Sequence, residues 1–222
     1  MLTPCVVVDL DDTLFLERDY VISGLEAVGD YVAATRGYRG FGQIAKGLFD
    51  EGVRGTTFDQ ALSQMGITPT DDLLTELVAA YRTHAPSITL LPDAERLLTG
   101  MKGRYVGVVT DGPIESQRAK AIAVGAPSWA DLIVYTAELG PGFGKPHPLG
   151  FSLHEVRAGL PGDQFTYVAD NPTKDFAGPK ARGWTTIRIR RPLSLHAARA
   201  SGADVDFEFT SLDEVVRAEI HR

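Results

Sequence analysis

Val6-Val7-Val8-Asp9-Leu10-Asp11-Asp12-Thr13-Leu14 sets a β-branched apolar run directly against three carboxylates. The run is short and does not alternate, the pattern of a strand buried on both faces of a parallel sheet. Ionised carboxylates cannot stay inside such a sheet. They are expected where the strand emerges, at its carboxyl end, the edge at which open α/β sheets bind ligands. Neighbouring carboxylates repel one another unless a cation or protons neutralise them. A plain acidic turn is the simpler reading of the same residues, because Asp is common in turns. The rest of the chain separates the two.

Working outward, the pattern changes after Leu14. From about Glu17 to Pro86 the sequence carries helical periodicity and no convincing strand. Tyr20 to Arg36, about Ile44 to Phe49, Thr57 to Met65 and Asp71 to His84 read as four helices, with Thr57-Phe58-Asp59-Gln60 as a capping box for the third. From Leu90 onward, strands alternate with helices. The expected strands are Tyr105–Val109, Leu132–Tyr135, Phe165–Ala169, Thr185–Ile189 and about Val205–Phe209. The expected helices between and around them include Asp93–Met101, Ile114–Val124, Leu149–Ala158, Thr173–Arg182 and about Leu193–Ala200, with Ser211-Leu212-Asp213-Glu214 capping a last one. Such alternation implies βαβ units and a parallel sheet with helices on both faces. The first strand belongs to that sheet. The expected fold is therefore α/β, a Rossmann-like core from 1–15 plus 87–222, interrupted by an all-helical insert over 16–86.

Composition narrows the function. The chain has 222 residues, 44% of them hydrophobic, enough to bury a substantial core. Its net charge of −7 disfavours a nucleic-acid binder or a binder of acidic membranes, both of which need a basic footprint. No apolar run approaches the ~20 residues of a membrane helix, and no signal-peptide pattern opens the sequence. The single cysteine, Cys5, has no partner for an intrachain disulfide and suits a reducing, cytoplasmic setting.

Three later strand ends carry polar residues. Thr110-Asp111-Gly112 opens a helix near Pro113, where a hydroxyl and free backbone N–H groups make a natural phosphate cradle. An N-cap followed by proline explains these residues equally well when they are taken alone. Lys145 stands in the Gly/Pro-rich loop Gly140-Pro141-Gly142-Phe143-Gly144-Lys145-Pro146-His147-Pro148, a setting that fixes a point charge suited to a phosphate. His147 beside it reads as structural. Asp170-Asn171-Pro172-Thr173-Lys174-Asp175 ends a second buried strand. If that strand lies beside the first, Asp170 and Asp175 face Asp9 and Asp11, and an oxygen-only donor set next to phosphate selects Mg²⁺. Arg188, Arg190 and Arg191 read as decoration of the sheet edge.

The ordered set Asp9-x-Asp11-x-Thr13, Thr110, Lys145 and Asp170 with Asp175 resembles the haloacid dehalogenase superfamily, phosphatase branch, with Ala169 standing where that family most often has glycine. The helical insert resembles the cap that some members carry after the first strand. The resemblance implies a Mg²⁺-dependent phosphatase acting on a small phosphorylated metabolite such as a sugar, polyol or nucleotide phosphate. It implies Asp9 as nucleophile and Asp11 as general acid and base, with Thr13 orienting Asp11. Thr110, Asp111, Gly112 and Lys145 would bind the phosphoryl group. Asp9, Asp170, the backbone carbonyl of Asp11 and Asp175, the last directly or from behind, would hold the metal. Asp12 has no catalytic part in this reading and shapes the turn. In the insert, Arg18, Tyr20 and Arg54 are the residues proposed to set substrate choice. A phosphomutase is the alternative on the same fold. A dehalogenase is disfavoured by Asp11, a phosphonatase because nothing around Lys46, the one lysine of the insert, suits it to form a Schiff base, and a non-catalytic binding protein by the full catalytic set.

Overall fold

The computed structural model describes residues 2–220. The apolar run forms β1 (Cys5–Val8), and the later strands are β2 (Tyr105–Thr110), β3 (Leu132–Tyr135), β4 (Phe165–Ala169), β5 (Thr185–Ile189) and β6 (Phe207–Phe209). They make one parallel sheet in the order β3-β2-β1-β4-β5-β6. All residues of β1 and β4 are buried, which explains their continuous apolar pattern. The chain winds outward from β1 through β2 to β3, then crosses back to start again at β4. The switch point of the topology therefore falls between β1 and β4, and the carboxyl ends of those two strands border the crevice.

Between β1 and β2 lie α1 (Glu17–Arg36), α2 (Phe41–Asp50), α3 (Thr57–Gln64) and α4 (Asp71–Thr83). They are followed by α5 (Pro92–Gly100), α6 (Ile114–Ala123), α7 (Ala126–Trp129), α8 (Leu149–Ala158), α9 (Ala177–Ala181) and α10 (Leu212–Ile220). The chain divides into two compact units, 1–17 with 88–222, and 18–87. The helical unit has its own core, in which Leu25, Val28 and Val32 of α1 pack with Phe41, Leu48, Leu62 and Leu77. In the sheet unit, Phe151, Phe165, Tyr167 and Trp184 form an aromatic cluster beneath β1 and β4. No helix among the described residues is long and apolar enough to cross a membrane.

Several boundaries differ from the sequence expectation, each for a local reason. The helix expected over 173–182 shortens to α9, because the preceding loop satisfies its backbone through side chains. Asn171 Oδ1 accepts from the Thr173 N–H and hydroxyl, while Asp175 Oδ2 accepts from the Asn171 N–H at 2.8 Å. The helix expected near 193–200 is a run of turns. Its carbonyls serve arginines instead of a helical ladder: His196 and Arg199 accept from Arg188, and Ala197 accepts from Arg190. The side-chain links at two helix starts also fall one residue earlier than expected. Gln60 bonds Thr56, and Glu214 reaches back to Thr210.

Arg188 and Arg191 correct the sheet-edge reading. Arg188 is fully buried and donates from Nε to the Asp170 carbonyl at 2.9 Å. Arg191 is buried against both Asp93 oxygens and donates to the Thr13 carbonyl at 2.7 Å. Both guanidiniums therefore brace the loops that follow β4 and β1.

His154, on α8, supplies a stability test. It is fully buried, its Nδ1 lies 2.9 Å from the Tyr105 hydroxyl and its Nε2 3.2 Å from the Val108 carbonyl. Only glycine fits at position 107, where a Cβ would lie 2.4 Å from the ring. Burial pushes the imidazole pKa down to about 4, which the Val108 contact offsets only in part. The unfolded chain takes up that proton near ~6.5, so between these values it binds more protons than the native state. Stability should therefore fall as pH drops through this window, by about 3 kcal/mol over its whole width. Urea unfolding at pH 7 and 4.5 should show this loss in the wild type and a shallower one in His154→Gln. Parallel pH profiles for the two proteins would contradict it.

Candidate active site

Asp9 continues the register of β1, its N–H donating to the Val168 carbonyl at 2.9 Å. The chain then turns sharply, and Asp12 adopts a left-handed backbone with φ 53°. Its buried carboxylate makes that turn tolerable. One oxygen accepts from the Glu17 N–H at 2.9 Å, at the start of α1, and the other from the Leu195 N–H at 2.7 Å. Asp12 is a turn anchor by this geometry, and its cap on α1 explains why that helix starts at Glu17. Thr13 is fully buried.

Asp9, Asp170 and Asp175 come together at the ends of β1 and β4. One oxygen from each lies within 4.8 Å of the others, and all three residues are buried. Lys145 enters the same cluster from the Gly/Pro-rich loop. Its Nζ lies 2.9 Å from Asp9 and 2.7 Å from Asp175, and donates to the Tyr167 hydroxyl at 3.2 Å. Burial works against the charged ammonium, but the carboxylates of Asp175 and Asp9 outweigh it and raise its pKa well above the usual lysine range. Burial raises Asp9 to about 6, with Lys145 opposing and Asp175 adding to the shift. Asp170 is pushed up to about 9 by burial and by the negative charges of Asp175 and Asp9.

Three carboxylates thus face one ammonium, and Asp170 Oδ2 is buried with no hydrogen-bond partner. A buried acceptor left without a donor is costly. An oxygen-only donor set with excess negative charge and an orphaned carboxylate oxygen fits a hard divalent cation.

The Asp11 carboxylate lies outside this group. Its Oδ1 is 2.7 Å from Lys120 Nζ, and its Oδ2 accepts from Gln117 Nε2 at 3.3 Å. Gln117 Oε1 in turn accepts from the Thr110 hydroxyl at 2.6 Å. The side chain of Asp111 points away from that pair. It accepts from Thr136 at 2.5 Å and pairs with Lys174 at 3.0 Å. These two donors outweigh burial and hold its carboxyl below the usual range. Gly112 packs where a Cβ would lie 2.8 Å from the Gln117 amide. Glu17 is raised to about 7, by burial first and then by Asp11.

The insert residues singled out for substrate choice are largely occupied. Arg18 pairs with Asp50 at 2.7 Å. Arg54 stacks 3.8 Å from the Phe49 ring centroid and donates to the carbonyls of Phe49 and Val53. Tyr20 is buried at 3% exposure, edge-on to Tyr81 and beside His84. Lys120 and Gln117 were not selected from the sequence. The spacing of 117 and 120 places both on one face of α6, but nothing local distinguishes Lys120 from its solvated neighbour Arg118.

Comparisons with known proteins identify the family. The chain is 28% identical over 221 residues to a glyceraldehyde 3-phosphate phosphatase of Methanocaldococcus jannaschii, covering 95% of this chain and 94% of that one. It is 29% identical over 168 residues to a phosphoserine phosphatase of Thermus thermophilus, covering 75% and 65%. Its fold matches a magnesium-bound HAD-hydrolase from Bacillus subtilis at TM-score 0.67, with 16% identity over 98% of this chain and 99% of that one. The profile of the haloacid dehalogenase-like hydrolases matches residues 3–183. That match spans most of the six-stranded parallel sheet, and the chain belongs to the haloacid dehalogenase-like hydrolases.

Proposed function

We propose that the protein is a Mg²⁺-dependent phosphatase that hydrolyses a small phosphate monoester through an aspartyl-phosphate on Asp9. The observation that carries this reading is the separation of the two N-terminal acids. Asp9 sits in the three-acid cluster with Lys145, while Asp11, two residues on, is held by a different lysine. That separation supports a role for Asp9 as nucleophile beside a cation and for Asp11 as the proton carrier. The phosphatase names of the two curated relatives support the reaction class.

In the first step an Asp9 oxygen bonds to phosphorus as the ester P–O bond breaks, and Asp11 gives its proton to the departing oxygen. In the second, water bonds to phosphorus, Asp11 takes its proton and the bond to Asp9 breaks. Inorganic phosphate leaves and Asp9 and Asp11 return to their starting states. Lys145 and the backbone N–H groups after Thr110 would bind the phosphoryl oxygens. Asp9, Asp170 and the Asp11 carbonyl, with Asp175 as a ligand or orienting them from behind, would hold Mg²⁺, which would supply charge to offset repulsion between nucleophile and phosphate. The helical unit 18–87 acts as the cap that selects the substrate.

The test is a panel of phosphate monoesters with Mg²⁺, reading free phosphate. Conversion of a sugar phosphate to its isomer without phosphate release would point to a mutase, and no turnover on any ester would overturn the reading. Asp11→Asn should lower kcat by ~10²–10⁴-fold, the usual worth of a general acid–base. Near-normal turnover in that variant would remove Asp11 from the mechanism.

A further inference from the structure

We propose that Lys120 and Gln117 form a clamp on Asp11 that fixes which of its oxygens carries the transferable proton. The proposal rests on the reading of Asp11 as the proton carrier.

Both clamp residues lie on the inner face of α6 at 3% exposure. An ammonium group has donors only, so Asp11 Oδ1, 2.7 Å from Lys120 Nζ, acts as an acceptor, and a proton there would weaken that short contact far more than one on Oδ2 would weaken the long contact to Gln117. The proton that Asp11 delivers is thereby assigned to Oδ2. The amide of Gln117 donates to that oxygen at a long 3.3 Å, a weak contact that a departing ester oxygen can replace. The other end of the same amide accepts the Thr110 hydroxyl at 2.6 Å. One side chain therefore registers the proton carrier at the end of β1 against the phosphate cradle at the end of β2. A buried ammonium is costly unless paired, and a surface lysine would need no such seat. Lys120 touches no reacting atom in this scheme and is a positioning residue.

The clamp predicts a dependence on leaving group that a merely structural ion pair does not. The ratio kcat/KM reports the steps up to departure of the leaving group, whereas kcat also contains hydrolysis of the aspartyl-phosphate. A 4-nitrophenolate leaves without needing a proton, and a benzyl alkoxide does not. With Mg²⁺ present, Lys120→Met should lose ~10²-fold in kcat/KM on benzyl phosphate but no more than ~5-fold on 4-nitrophenyl phosphate, as expected when general-acid help is withdrawn. Because the second step needs Asp11 as base whatever the ester, kcat should fall on both. Lys120→Arg should recover part of the benzyl phosphate rate. Gln117→Leu should show the same asymmetry more weakly, and carries the test if Lys120→Met does not fold. Equal losses on the two esters, or no loss, in the presence of an active wild type would overturn the clamp alone. A wild type inactive on both would overturn the phosphatase reading and the clamp with it.

Discussion

Asp9→Asn is expected to abolish turnover, with a loss on the order of 10⁵-fold or more, the size seen when a covalent nucleophile is removed. The amide keeps the shape of the carboxylate but is a poor nucleophile, so no aspartyl-phosphate forms. The fold should tolerate the change. Asp9 lies in a cluster where three carboxylates compete for one ammonium, and removing one negative charge relieves repulsion with Asp170 and Asp175. The variant should melt no lower than the wild type in Mg²⁺-free buffer. The decisive readout is phosphate release, with the acid-stable covalent label on the protein as a second measure. Turnover within tenfold of wild type would refute the covalent mechanism, and the same variant serves as the control for contaminating phosphatase in any substrate screen.

Lys145→Met should have the largest effect on stability. Its side chain is 1% exposed and neutralises Asp9 at 2.9 Å and Asp175 at 2.7 Å. Methionine fits the volume but leaves buried carboxylates without a counter-charge. Breaking a buried pair by removing one partner costs ~3–5 kcal/mol. For a chain of this size that corresponds to a fall in Tm of about 10 °C or more. A cation bound by the three acids stabilises only the native state, so added Mg²⁺ should raise the Tm of the variant more than that of the wild type. Activity should stay low even then, because the phosphoryl oxygens lose a cationic partner. Thermal melts with and without Mg²⁺ check both parts. A variant that melts like the wild type in Mg²⁺-free buffer would mean that Lys145 is not the counter-charge its geometry makes it.

The parts of this protein that could be read from the sequence are those written in local order. Val6-Val7-Val8 is too apolar and too short for anything but a buried strand, and the acids that follow had to lie where that strand ends. The regular spacing of strands and helices after Leu90 required a parallel sheet, and the identities of Asp9, Lys145, Asp170 and Asp175 marked them as one site once their strands were taken as neighbours. The four helices of the insert followed from periodicity, since each buries one face in a core of its own.

What the sequence left undetermined depends on contacts between residues far apart in the chain. On α6, hydropathy would turn Ile122 inward and Lys120 outward. The fold does the reverse, with Ile122 68% exposed and Lys120 buried, because Asp11 waits on the inner side to pair with the ammonium. The segment 193–200 has helical composition, yet its carbonyls are drawn to Arg188 and Arg190, 7 to 11 residues earlier in the chain, in place of a helical ladder. Tyr20 sits close in sequence to the turn after Asp9, but its ring packs against Tyr81 and His84, more than 60 positions further on. Sequence alone therefore determined the fold class and the acids of the site, because strand order and residue chemistry are local signals. Only the tertiary structure decided which acid meets which lysine, because burying a charge is tolerable only where the fold has already placed its partner.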